Sequence, residues 1–132
     1  MEKEILKELP ACPVETTLTL ISDKWKVLIL RDLMSGTKRF GELKKSIGHV
    51  TQKVLTAQLR QMEESGLLTR KVYAEVPPRV EYTLTELGYS LKPVLDAMWT
   101  WGEGYKSRLE GGRAAIPIPS VWRSATHRTG KR

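Results

Sequence analysis

Several absences narrow the reading of this chain before any motif is considered. Its 132 residues include a single cysteine, Cys12. No disulfide framework can form within one chain, and a reducing, cytoplasmic setting is expected. No apolar run approaches the about 18 residues of a membrane-spanning helix. The opening MEKEILKELP is charged, unlike the apolar centre of a secretory signal, so no membrane partner is expected. Histidine occurs only at His49 and His127, and there is no CxxC, HExxH, GxSxG or glycine-rich phosphate loop. No catalytic residue, metal site or cofactor is therefore expected. A thiol enzyme would need a base beside Cys12, and the sequence offers none.

What is present fits one domain of modest core. Hydrophobic residues make up 40% of the chain, enough to fold. The net charge of +7 is unevenly spread. Residues 1–110 carry 17 basic and all 15 acidic groups, whereas residues 111–132 carry five basic groups and no acid. The domain is thus read as residues 1–110, followed by a basic tail or appended extension at 111–132 with no helical period. Inside the domain, Lys38, Arg39, Lys44, Lys45, Lys53 and Arg60 are accompanied between Thr37 and Arg60 by one acid, Glu42. A localised basic face matters more for nucleic-acid binding than the total charge does.

The order of elements follows from periodicity. Cys12-Pro13-Val14-Glu15 opens a helix to about Ser22, with proline in the first turn and a carboxylate near free N–H groups. KWKVLILRDLMSG is apolar over a wide arc, which makes it the central helix, and Gly36 ends it. TKRF is extended. Phe40, Leu43 and Ile47 define one face of a short helix closed by Gly48. Thr51 then caps a second helix whose stripe is Leu55, Leu59 and Met62. Two such helices around a glycine turn make a helix-turn-helix. LLTRKVY and RVEYTL alternate as strands around Pro77-Pro78, which cannot donate to a ladder and belong at the tip. Thr85 caps a helical stretch from Glu86 to Leu109, which Pro93 is expected to kink or divide. The fold class is mainly α (α+β): a winged helix-turn-helix with flanking N- and C-terminal helices.

Opposite the Leu55–Leu59–Met62 stripe lie Lys53, Ala57, Arg60 and Glu64, with Thr56 alongside. Thr51, Gln52, Lys53 and Thr56 sit toward the end that such helices insert into a major groove. Gln and Lys bond base edges, Thr meets a thymine methyl, and Arg60 suits base or phosphate. Lys38, Arg39, Lys44 and Lys45 suit phosphates, and Arg70, Lys71 and Arg79 place charge on the wing. The plain alternative for this helix is a solvated polar face; the glycine turn before it and the basic hairpin after it favour double-stranded DNA. A second alternative is a winged-helix module that binds protein and not DNA. On the terminal helix, Leu95, Met98, Trp99, Trp101 and Tyr105 exceed what a small winged domain can bury, which favours a homodimer interface over simple completion of the core. Cys12 is read two ways. It is either a small buried hydrophobe or a helix-mouth thiol favoured as thiolate by the dipole and disfavoured by Glu15.

Together, CPVETTLTLISDKWKVLILRDLMSG, RFGELKKSIGHVTQKVLTAQLRQMEESGLLTRKVY and VPPRVEYTLTELGYSL resemble the HxlR-type transcription regulators, a winged-helix family related to MarR regulators. With the following helix the likeness runs from about Cys12 to Leu109. It implies a homodimer, built through the terminal helices, that binds inverted-repeat operators through Thr51–Ser65 and the wing. Some members resemble redox sensors in which oxidants or electrophiles such as quinones and aldehydes modify a cysteine just before the first long helix, where Cys12 stands. A small-molecule effector or oxidant is accordingly a candidate partner. The sequence departs from the family pattern at Asp23, usually glycine, and at His49 in the inter-helix turn.

Overall fold

The computed structural model describes residues 9–111. The expected tail, 111–132, lies outside them except for Gly111. The elements run α1 (Pro13–Ile21), α2 (Lys24–Leu33), β1 (Lys38–Arg39), α3 (Phe40–Ile47), α4 (Gln52–Glu64), β2 (Leu68–Tyr73), β3 (Arg79–Leu84), α5 (Glu86–Tyr89) and α6 (Lys92–Leu109). The chain divides into two compact units, 1–92 and 93–132.

In the first unit α2 occupies the centre, packed by α1, α3, α4 and β3. Its Ile29, Leu30 and Leu33 are completely buried, as the wide apolar arc of KWKVLIL requires. Leu43 and Ile47 of α3, Leu55, Leu59 and Met62 of α4, and Tyr82 and Leu84 of β3 complete this core. The sheet is antiparallel in the order β1-β3-β2. Leu68 pairs with Leu84, Arg70 with Tyr82 and Tyr73 with Arg79, so Pro77 and Pro78 fall at the hairpin tip. Directly paired residues share a face. Leu68 and Leu84 therefore point together into the core, whereas Lys71 and Glu81 point together to the other side.

The helical stretch from Glu86 to Leu109 is divided, as expected, but not at the expected residue. Ser90 ends α5, its N–H bonding back to the carbonyls of Glu86 and Leu87. Pro93 is not the break: it stands in the first turn of α6, where its missing donor costs nothing. Thr85 caps α5 as expected, accepting from the Gly88 N–H at 3.2 Å.

Gly88 is buried, and a Cβ there would run into the carbonyl oxygen of Leu67 and stand 3.0 Å from Leu84 Cδ2. Alanine would gain about 1 kcal/mol of helix propensity but overpack a backbone carbonyl. A rigid carbonyl yields little, so overpacking wins. Gly88→Ala is expected to lower stability by about 1–2 kcal/mol, read as a lower urea midpoint at constant slope. An unchanged or higher midpoint would show that the α5 turn shifts freely from Leu67.

Candidate nucleic-acid interface

α4 presents its two faces as its pattern dictates. Thr51 caps it, Oγ1 accepting from Val54 N–H at 3.1 Å. Gly66 (φ 83°) turns the chain into β2 after the C-terminal turn, a left-handed conformation natural only to glycine. With the apolar stripe buried, Gln52, Lys53, Thr56, Ala57 and Arg60 line one open, shallow concavity on the solvent side. The structure thus brings together four of the residues assigned to base or phosphate contact: Gln52, Lys53, Thr56 and Arg60.

The remaining basic residues are spread over other elements. Lys45 is exposed and Lys44 half-buried on α3, whose N-cap residue Arg39 donates its N–H to the Glu42 carboxylate at 2.8 Å. Arg39 is exposed on β1. Lys38 is half-buried and lines a cavity of about 340 Å³ with Arg31, Asp32, Ser35, Glu42, Leu43 and Ser46, apart from the α4 concavity.

On the wing, two of the three cations are paired with acids. Arg70 Nε lies 3.3 Å from the Glu63 carboxylate of α4. Arg79 reaches Glu75 at 2.9 Å and Glu81 at 3.5 Å, while its guanidinium stacks 3.9 Å from the centre of the Tyr73 ring. The Lys71 ammonium lies 4.9 Å from the same ring. Counting Arg70, Lys71 and Arg79 along the sequence overlooked Glu63, Glu75 and Glu81, which the register and the α4–β2 turn bring beside them. The hydroxyl of Tyr82, on the central strand β3, is pushed above the usual tyrosine value, chiefly by burial.

One functional candidate escaped the sequence reading altogether. Lys26 is buried, on the same face of α2 as Ile29, Leu30 and Leu33. Its ammonium bonds Asp23 Oδ2 at 3.2 Å and the amide oxygens of Gln58 and Gln61 on α4, each at 2.7 Å. The i, i+3, i+4, i+7 spacing of these four α2 residues was the signal that placed a lysine on the core side. Asp23, conspicuous only as a departure from glycine, caps α2 by accepting from Lys26 N–H at 2.9 Å. Burial pushes the Asp23 carboxyl up, but the hydrogen bonds and charge of Lys26 outweigh it and hold it below the usual carboxylate value.

Cys12 is exposed at the N-cap of α1, where its carbonyl accepts from Thr16 N–H at 3.0 Å. In one copy its side chain is therefore not buried. In the second unit, α6 has no buried residue: Leu95 is half-buried, and Met98, Trp99, Trp101 and Tyr105 are exposed. The Trp101 and Tyr105 rings stack at 5.4 Å. Among the described residues no group of His, Cys, Asp or Glu could hold a metal ion, and no helix is long and apolar enough to cross a membrane.

A central helix, a helix pair around a glycine turn and a three-stranded sheet ending in a hairpin define a winged helix-turn-helix. Residues 20–110 match the HxlR-like helix-turn-helix family model, and the chain belongs to that family. It is 49% identical over 108 residues to the HTH-type transcriptional regulator YdeP of Bacillus subtilis strain 168, covering 82% of this chain and 84% of the relative. Among solved structures, the redox regulator HypR in its reduced form is similar with a TM-score of 0.71 and 44% identity, over 76% of this chain and 99% of that one. The HTH-type regulator ytcD is similar at 0.69 and 47% identity, over 73% and 98%. The protein is accordingly a transcription regulator of the DNA-binding helix-turn-helix type, and not an enzyme.

Proposed function

We propose that the protein is a homodimeric, cytoplasmic regulator that reads an inverted-repeat operator by laying the exposed face of α4 in the major groove of each half-site. The observation that carries this reading is the single concavity of Gln52, Lys53, Thr56 and Arg60, opposite a fully buried stripe. Gln52 and Lys53 reach base edges, Thr56 meets a thymine methyl, and Arg60 takes a base or phosphate. Thr51 caps the helix and lines its entry to the groove. Arg39, Lys44 and Lys45 contribute phosphate contacts, with Lys38 at their margin. On the wing Lys71 supplies the phosphate contact, whereas Arg70 and Arg79 act there through their ion pairs with Glu63, Glu75 and Glu81.

Two copies are needed because an inverted repeat presents the same bases twice, about 34 Å apart for adjacent turns. The second copy is held through α6, whose Leu95, Met98, Trp99, Trp101 and Tyr105 leave a large apolar area open to water in one copy. Cys12, exposed and at a helix mouth, is the site where an oxidant or electrophile acts. The similarity to HypR, solved in reduced and oxidised forms, supports this assignment.

Selection of bound duplexes from a random library tests the reading at each level. Gln52→Ala and Lys53→Ala are expected to change the recovered site, each relaxing one position by about 1–3 kcal/mol. Lys45→Ala is expected to weaken all duplexes alike, because phosphates carry no sequence. An unchanged site in the first two variants would remove α4 from the groove. A flat salt response of the native protein would favour the protein-binding alternative.

The dimer has its own measurement. Trp99→Asp or Met98→Asp places a charge in the apolar contact, and sedimentation is expected to show monomers that bind the operator weakly. Intact dimers in both variants would exclude α6 as the interface. For Cys12, diamide or a quinone is expected to change operator affinity in the native protein and leave Cys12→Ser unaffected. With one cysteine per chain, any protein disulfide joins two copies; the other products are a mixed disulfide with a small thiol or an alkylated adduct. Equal responses in the two proteins would make the thiol structural.

A further inference from the structure

A buried ammonium is costly unless every N–H has a partner, and Lys26 meets that condition in full. Its three donors have three acceptors: Asp23 Oδ2 and the side-chain oxygens of Gln58 and Gln61. An ammonium can only donate, so the amide oxygens of both glutamines must be the atoms facing it. Asp23 in turn is fixed as the N-cap of α2 through Lys26 N–H. One end of the cluster is therefore anchored in the central helix, and the other ends on α4.

What these bonds add differs from what the apolar stripe supplies. Burial of Leu55, Leu59 and Met62 decides which side of α4 faces inward, but apolar contact is non-directional and tolerates some roll of the helix. Gln58 and Gln61 are three residues apart, beside that stripe, and each 2.7 Å bond is directional. Side-chain tips lie about 5–6 Å from a helix axis, so a roll of about 20° would move them by about 2 Å. That exceeds the range in which a hydrogen bond survives, both at the Lys26 cluster and at a base edge.

We propose that Lys26 is a positioning residue for base recognition: anchored by Asp23, its ammonium sets the roll of α4 through Gln58 and Gln61, so that Gln52, Lys53 and Thr56 meet base edges in register. The proposal rests on the reading of α4 as the groove-bound helix. Lys26 itself touches no DNA, because it is buried.

The test compares the duplex recovered by selection with the same duplex carrying base changes in its half-sites. Affinity ratio, salt slope and thermal midpoint are measured for the full-length protein and for each variant. Lys26→Met, which fills the site without a donor, and Gln58→Leu/Gln61→Leu are expected to lower the ratio about tenfold or more, the scale of one lost base contact. The salt slope is expected to stay unchanged, since no phosphate contact is removed. Gln58→Glu retains an oxygen acceptor for the ammonium and is expected to keep the native ratio. A purely structural role would lower the thermal midpoint and leave the ratio alone. A folded Lys26→Met with a ratio within twofold of the native one overturns the proposal. If Lys26→Met does not fold, the single Gln61→Leu variant, at an exposed position, decides by the same criterion. Failure of the reading beneath the proposal shows elsewhere, as a native protein that prefers no duplex.

Discussion

α4 can be buried in only one way, and the proposed interface depends on that constraint. Leu55, Leu59 and Met62 are sealed against a core centred on α2, and a helix of 3.6 residues per turn must then present its opposite face outward. Gln52, Lys53, Thr56 and Arg60 are exposed together because of this packing and not through contacts with one another. The Lys26 cluster adds direction to that arrangement. Apolar burial chooses the face, and the ammonium with its two glutamine acceptors restricts the angle.

The wing follows a different logic. Charges that look available along the strand are consumed locally, Arg79 by Glu75, Glu81 and the Tyr73 ring, and Arg70 by Glu63. Exposed ion pairs of this kind contribute little to stability, about 0–1 kcal/mol. Their effect is instead on geometry and on charge. The last rung before the tip, Tyr73 with Arg79, is held by stacking and by two carboxylates, and the net positive charge of the hairpin is small.

Features set by local chemistry were legible in the sequence: the caps Thr51 and Thr85, the stripe of α4, the extended TKRF, and the diproline at the hairpin tip. Family likeness came from the same segments and has been confirmed. Features set by distant neighbours were not legible. Nothing local announces that Arg70 of β2 meets Glu63 of α4, or that Gln58 and Gln61 are acceptors for a lysine more than thirty residues earlier. The break at Ser90 was placed instead at Pro93, because proline was weighed as a helix breaker without its tolerance in a first turn. Lys26 is the instructive case. Its burial was written in its spacing with Ile29, Leu30 and Leu33, but a lysine is usually counted as solvent-facing, and its partners could not be read from the chain.

The central claim is that the exposed face of α4 reads base edges in the major groove. Methylation interference on the duplex recovered by selection tests it most directly, because dimethyl sulfate marks guanine N7 in the major groove and adenine N3 in the minor groove. The account predicts that N7 methylation within each half-site blocks binding by the native protein, and that Lys53→Ala or Gln52→Ala relieves the block at individual positions. Binding indifferent to every N7 methyl group, and sensitive only to adenine N3, would contradict it.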